Sequence, residues 1–207
     1  MFTFFSPIGA CAQNEVFTPG STAEYAVEYT GGASVVHDTI SIHATGRPWQ
    51  ADATQKEIII TYLADGIDST VFGEQFSIGW VSTDTTGAVE NEKTCWFHPP
   101  RHNQYAMLES APFPRVNYPL ALSKTYSRVL FIGEGWGELS NSKITWVYEV
   151  IENEGTRWRV SASAISEKEA ERVNRLDFTF CENEGFLELN YTFHNQLKVK
   201  LRKIIRQ

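Results

Sequence analysis

Apolar and polar residues alternate along the C-terminal third of the chain, which is the pattern of half-buried β-strands. The last predicted strand has its apolar positions at Leu197, Val199 and Leu201, and the strand before it has them at Leu187, Leu189, Tyr191 and Phe193. Because cross-strand partners point to the same face, we expect Phe193 opposite Leu197, with residues 194–196 as the hairpin loop. This register also places Glu188 opposite Arg202.

The same alternation occurs in three earlier segments. Their apolar positions are Ile144, Trp146, Tyr148 and Val150; Trp158, Val160, Ala162 and Ala164; and Leu176, Phe178 and Phe180. A turn through residues 182–185 leads into the next strand, and an even loop length places Phe180 opposite Leu187. We therefore expect consecutive hairpins that share one apolar face.

The N-terminal half is also predicted to form strands, at residues 23–29, 35–43, 57–63 and 74–82. Residues 167–173 favour either a short helix or the tip of a long hairpin. Many short strands with little or no helix predict an all-β fold. We expect a single antiparallel sheet system of meander hairpins, forming a sandwich or an open or half barrel, with residues 13–207 as one β-rich domain.

Composition supports this fold class and argues against one type of partner. Aromatic residues make up 13% of the 207 residues, and flat side chains pack well on pleated sheets. The formal net charge is −7, which is unfavourable for binding a nucleic-acid backbone. The basic residues near the C-terminus alternate with apolar ones, which indicates the solvent-facing side of a strand. We therefore expect no nucleic-acid partner.

Residues 1–12 form an apolar run that ends in small residues around Cys11. The stretch from Ile8 to Cys11 resembles the lipobox of bacterial lipoproteins, whose cysteine is lipidated and becomes the mature N-terminus. Residues 10–12 fit the cleavage pattern of a secretory signal equally well, although no Lys or Arg precedes the run, and a plain N-terminal strand is the alternative. We expect export to a bacterial periplasm or cell envelope, with a lipid anchor at Cys11 as the membrane contact.

Two further cysteines, Cys95 and Cys181, lie in the predicted domain. In an exported protein such a pair favours a disulfide that closes a long loop, worth ~4 kcal/mol in the entropy model. The alternative is two unpaired thiols in separate apolar environments. Neither cysteine belongs to a zinc-ligand pattern, and we expect no metal and no cofactor.

The least regular part of the sequence is residues 95–124, which begin with CWFHPPRH. Five of the eight prolines fall in this range, so sheet pairing is interrupted and a binding loop or a strap over a sheet is expected. Pro99 and Pro100 favour an extended backbone, which separates His98 from His102 too far for one metal ion to bridge them.

Ligand recognition is the function that the side chains of this region favour. Arg101 and Arg115 are expected to hold a carboxylate or sulfate beside aromatic faces. The alternative is that Arg101 pairs with Glu109 or a backbone carbonyl, while the aromatic residues fill the core beneath the strap. The candidate ligand-binding residues are Trp96, Phe97, His98, Arg101, His102, Tyr105 and Arg115.

Taken together, these patterns predict non-enzymatic binding of an apolar or amphipathic ligand, or of a partner surface, in the cell envelope. No GxSxG or HExxH motif occurs in the sequence. One alternative is a hydrolase-type enzyme that uses His98, His102 and Glu109, which requires these side chains to converge. Another is a purely structural envelope module.

Overall fold

The structure is a computed structural model, and it describes residues 15–31, 34–63, 81–134, 140–168 and 173–205. Within these ranges twelve β-strands form one antiparallel sheet that curves until it is nearly closed into a barrel. The predicted all-β class is confirmed, in the open-barrel form. Cys11 and most of residues 74–82 and 167–173 lie outside the described ranges.

Each half of the chain forms a run of neighbouring hairpins. The strands are β1 (Thr22–Gly31), β2 (Ser34–Trp49), β3 (Asp52–Tyr62), β4 (Thr83–Asn91), β5 (Thr94–Phe97), β6 (Arg115–Asn117), β7 (Thr125–Ile132), β8 (Ser142–Glu154), β9 (Arg157–Ser166), β10 (Asn174–Cys181), β11 (Gly185–Thr192) and β12 (Lys198–Lys203). Their order across the sheet is β6-β5-β4-β3-β2-β1-β12-β11-β10-β9-β8-β7. Pairing of β1 with β12 joins the two halves, and the predicted pair of Glu188 with Arg202 is confirmed.

The predicted register of the β10–β11 hairpin is confirmed at Phe178, which pairs with Leu189, but it differs by one residue at Phe180. Phe180 pairs with Phe186 and not with Leu187, because a β-bulge precedes Phe180 and shifts the register. The turn is also shorter than predicted, since it spans residues 182–184 and β11 begins at Gly185, whose φ of +77° suits a residue without a Cβ atom. Phe186 therefore takes the inward position that was predicted for Leu187.

The two edge strands, β6 and β7, face each other across a junction that side chains bridge. Tyr126 Oη on β7 donates a hydrogen bond to the carbonyl oxygen of Arg115 on β6 at 2.6 Å. Lys124 Nζ donates to the carbonyl oxygens of Asn117 and Pro119 at 3.3 and 2.7 Å. We call this junction between β6 and β7 the seam.

Residues 98–114, which we call the strap, leave the sheet after β5 and return to it at β6. A 3-10 helix, Asn103–Ser110, forms the middle of the strap, and the alternation pattern did not predict it. Tyr105, Leu108 and Ala111 of the strap are fully buried. In the described part of the chain, no helix is long and apolar enough to cross a membrane.

The strap lies against the inner face of the curved sheet. Its ring and carbonyl groups contact strands that are far apart in the sheet order: Tyr105 stacks on Tyr62 of β3 at 5.7 Å, and Tyr148 Oη of β8 donates to the carbonyl oxygen of Phe113 at 3.0 Å. Because only the inner side of a curved sheet brings such strands together, the strap forms part of the core.

The predicted disulfide between Cys95 and Cys181 is not formed in this structure, in which both cysteines are free and buried. Cys95 faces the core from β5, in one half of the sheet, whereas Cys181 ends β10 in the other half. The Cys181 sulfur lies 3.7 Å from Thr156 Oγ1 and 3.6 Å from Glu184 Oε1. The alternative of two thiols in separate environments describes the structure.

Candidate functional site

The start of the strap is held on β4 by a polar cluster around Asp84. Arg101 Nε donates to Asp84 Oδ2 at 2.9 Å, and His102 Nε2 lies 3.3 Å from Asp84 Oδ1. Glu109, further along the strap, lies 3.6 Å from Arg101 Nη1. Burial raises the pKa of Glu109, although the nearby Arg101 charge opposes this. The cluster therefore joins the start of the 3-10 helix to Asp84 directly and its end, at Glu109, only through Arg101.

A second carboxylate, Asp38 of β2, holds the middle of the strap. Tyr105 Oη donates to Asp38 Oδ2 at 2.6 Å, and Gln104 Nε2 donates to the same oxygen at 2.9 Å. Tyr62 Oη accepts hydrogen bonds from the backbone amides of Arg101 and His102, both at 3.2 Å. The strap is thus attached to the sheet mainly through side chains, where a strand would use a ladder of backbone hydrogen bonds.

An aromatic cluster lies between the strap and the seam. The His98 ring packs against Trp49, Trp96 and Phe113, with centroid distances of 5.6, 5.3 and 4.8 Å. Phe113 in turn lies 4.5 Å from the Trp146 ring. Burial lowers the pKa of His98 to about 4, with the Arg101 charge as a smaller cause. His98 is therefore neutral at pH 7 and is a weak base.

Arg115 lies beside this cluster on β6. Its guanidinium carbon is 5.8 Å from the centre of the Trp96 ring, and its Nε donates to Asn117 Oδ1 at 3.1 Å. The predicted clamp of Arg101 with Arg115 on one anion is not found, because Arg101 is paired with Asp84 in the polar cluster. The pairing of Arg101 with Glu109, which was the alternative, is present.

Phe97 lies in a third place, beneath the segment that precedes β1. Its ring packs against Phe17 at 6.0 Å and against Phe186 at 5.2 Å. These rings line a pocket together with Tyr25 and Lys203. The space within it that is open to the centre of a water molecule is about 20 Å³, which is room for little more than one water.

The structure thus divides the predicted site residues among three places. Arg101, His102 and Tyr105 attach the strap to Asp84 and Asp38. Trp96, His98 and Arg115 lie in or beside the aromatic cluster, and Phe97 lies beneath the segment before β1. The three residues of the hydrolase alternative do not converge, since His102 and Glu109 meet at Arg101 and Asp84 whereas His98 lies in the aromatic cluster.

Several partners of the predicted residues were missed by the sequence analysis. They are Asp38, Tyr62, Asp84, Trp146 and Arg128. Each lies on a strand that is distant in sequence from the residue it meets. The inward position of Trp146 was predicted from its alternation, but no local pattern indicates which ring it contacts.

The fold and the candidate site define an all-β open barrel whose inner face is covered by a strap of its own chain. No family model and no curated protein matches the sequence. Among solved structures, the chain is similar to a crystal structure of a LolA superfamily protein from Nitrosomonas europaea. The TM-score is 0.34 at 7% sequence identity, covering 93% of this chain and 88% of that chain.

Proposed function

We propose that the protein binds an apolar or amphipathic ligand on the inner face of the sheet, without catalysing a reaction, and that the strap covers this face in the absence of ligand. The observation that carries the proposal is how the strap is attached. Two carboxylates, Asp38 and Asp84, hold it through side chains, so it can leave the inner face without breaking the sheet ladder. The residues beneath it form an apolar, aromatic surface of the kind that ligand sites use.

Within this proposal the predicted site residues have two roles. Trp96 and Phe97 present ring faces to the ligand from β5, and His98 and Tyr105 present theirs from the strap. Arg101 and His102 keep the strap closed through Asp84. The hydrolase alternative gains no support from a neutral His98 that lies away from Glu109, so binding is the function that the geometry favours.

A neutral fluorescent amphipath, N-phenyl-1-naphthylamine, tests the proposal. We expect its fluorescence to rise on binding to the folded protein, and to rise at lower probe concentration in an Asp38→Asn variant, whose strap is less firmly held. Glu152→Gln is the matched control, because Glu152 lies in an exposed pair with Arg159 far from the strap. Native mass spectrometry of the purified protein tests separately for a retained ligand.

The proposal is wrong if the probe binds neither the wild-type protein nor the Asp38→Asn variant while both remain folded, and if no ligand mass is retained. Equal binding by wild type and both variants would contradict the role of the strap. That result would mean that the ligand binds to a surface that the strap does not cover.

We also propose that the protein is exported to a bacterial periplasm or cell envelope, with residues 13–207 as the mature domain. The apolar run at residues 1–12 and its lipobox-like end at Cys11 support this. Expression of the full chain in a bacterial host, followed by fractionation and mass analysis of the mature N-terminus, tests it. We expect a lipid-modified mass that Cys11→Ala removes, or a mass cleaved near residue 12, whereas an intact cytoplasmic chain would contradict export.

A further inference from the structure

Arg115 carries a buried charge at the seam. The residue is 9% exposed, and its Nε donates one hydrogen bond, to the neutral amide oxygen of Asn117. Among the described residues, no carboxylate lies within ion-pair distance of its guanidinium. Charged side chains as buried as this one are nearly always paired, because an isolated charge in a protein interior is costly. The part of the chain that the structure describes therefore leaves the Arg115 charge without an anionic partner.

The residues around Arg115 add positive charge where a counter-charge would be expected. Arg128, on β7 across the seam, is close enough that its charge lowers the pKa of Arg115, after the larger effect of burial. Lys124 lies at the same seam and donates only to backbone carbonyl oxygens, those of Asn117 and Pro119. Three cations thus meet at one junction of a chain whose formal net charge is −7.

A buried donor without an acceptor among the described residues lies on the neighbouring strand, β8. Trp146 of β8 is the direct cross-strand partner of Arg128, so the two side chains are on the same face of the sheet. Trp146 is 6% exposed, and its Nε1 is buried with no hydrogen-bond acceptor among the described residues. Buried indole N–H groups normally have an acceptor, and this one lies on the strand next to Arg128, which is exposed.

We propose that the seam between β6 and β7 is an anion-binding site, in which Arg115 and Arg128 hold a carboxylate or phosphate group and Trp146 Nε1 donates to it. A guanidinium presents paired N–H donors that match the oxygens of such a group. The anion would offset the repulsion between the two arginines and satisfy the buried charge of Arg115.

The surroundings of the site indicate what the rest of the ligand is. Trp96, over which Arg115 lies, stacks with Phe113 at 6.3 Å, and Phe113 packs on Trp146. An anionic head at the seam would therefore have its apolar part directed at the aromatic cluster. This part of the inference rests on the proposed function, and it makes the ligand an amphipath with one anionic head, whereas the anion site itself rests on the seam residues alone.

Three ligands measure separately how much the anionic head and the apolar part contribute to binding. They are laurate, its neutral methyl ester, and inorganic phosphate. Displacement of N-phenyl-1-naphthylamine measures the first two, and calorimetric titration measures phosphate. We expect laurate to bind roughly 10- to 100-fold more tightly than the ester, because a hydrogen bond to a charged group is worth that much. Arg115→Gln and Arg128→Gln should remove this preference by weakening the binding of laurate more than the binding of the ester.

Arg159→Gln is the matched control, since Arg159 is an exposed arginine of β9 paired with Glu152. It should keep the full preference for laurate. Phosphate should raise the unfolding temperature of the wild type and of Arg159→Gln, but not of Arg115→Gln. If Arg115→Gln fails to fold, Arg128→Gln still tests the anion site. Arg128 is exposed, so its replacement should leave the protein folded.

The outcomes distinguish the two proposals. Phosphate binding that depends on Arg115, without binding of laurate or ester, supports the anion site and overturns the amphipathic ligand. Equal binding of laurate and ester, unchanged in both arginine variants, overturns the anion site and leaves the proposed function standing.

Discussion

His98 shows at the scale of a single residue how packing changes chemistry. Its ring lies among Trp49, Trp96 and Phe113, and its Nδ1 is buried without a partner in the described part of the chain. Burial disfavours the charged form, which lowers the pKa from 6.5 to about 4. A histidine beside two prolines and an arginine looked reactive in the sequence, but its environment makes it an aromatic core residue.

This pKa predicts how stability depends on pH. The unfolded chain binds a proton at His98 near pH 6.5 and the folded chain does so only near pH 4. The stability contributed by neutral His98 is therefore fully present above pH 6.5 and is lost as the pH falls to about 4, a loss of about 3 kcal/mol. In urea unfolding at both pH values, His98→Asn should lose less stability on acidification than the wild type.

His37, which is exposed on β2, provides the control, and His37→Asn should retain the acid-induced loss of the wild type. An unchanged pH dependence in His98→Asn would show that the ring binds a proton as readily in the folded chain as in the unfolded chain. That result would contradict the lowered pKa.

Asp84 is the residue on which the closure of the strap depends most. Replacing it with asparagine leaves Arg101 and His102 without the buried carboxylate that they share. We expect Asp84→Asn to lower the free energy of unfolding by about 2 kcal/mol, the usual value for a hydrogen bond to a charged group. Glu152→Gln, which breaks the exposed pair with Arg159, should change it by less than about 0.5 kcal/mol. Denaturant unfolding of both variants measures the difference, and equal effects would show that the strap is not held at Asp84.

At the scale of elements, the segment before β1 is docked on the β10–β11 turn. Val16 and Phe17 donate their backbone amides to the Glu90 carboxylate at 2.6 and 3.0 Å, and the Phe17 ring is buried. On the other side, a Cβ atom at Gly185 would collide with the Val16 side chain. The glycine at this turn is therefore required both by its backbone angles and by the segment packed on it.

A comparison of Gly155 with Gly185 separates the effect of the backbone angles from the effect of the packed segment. Gly155 has a φ of +65° and open space within 4 Å of the position that a Cβ atom would take, while Gly185 has a φ of +77° and meets Val16. Gly155→Ala should cost about 1 kcal/mol for the left-handed backbone alone. Gly185→Ala should cost about 1–3 kcal/mol more, because the methyl group forces the segment to shift. Thermal unfolding of the two variants gives the comparison, and equal losses would mean that the segment is not docked there.

At the scale of the whole molecule, the reactivity of the Cys95 and Cys181 thiols indicates whether the protein is folded. Cys95 and Cys181 are free and buried in opposite halves of the sheet. Burial also raises the pKa of the Cys95 thiol, which makes it less reactive. In a Cys11→Ser background we expect neither thiol to react with Ellman's reagent until the protein is unfolded, when both react. Reduction should leave the mass unchanged, and a mass gain on reduction would establish the bridge instead.

The sequence by itself determined the strands and their inward faces. The alternation of Ile144, Trp146, Tyr148 and Val150 predicted one buried face, and all four are buried in β8. The pairing of Glu188 with Arg202 was predicted for the same reason. Strand periodicity is a property of adjacent residues, so it can be read locally. The one-residue shift at Phe180 was not predicted, because a bulge depends on how the strand fits its partner.

Only the tertiary structure decided what the irregular region does. The prolines indicated a strap, but Asp38 and Asp84, which hold it, come from β2 and β4. The sequence analysis gave Arg101 and Arg115 the same role. In the fold, Arg101 has a carboxylate partner, whereas Arg115 is buried against Trp96 and Asn117. The physical reason is that charge pairing depends on distances set by the curvature of the sheet and the order of its strands, and neither is encoded in any short stretch of sequence.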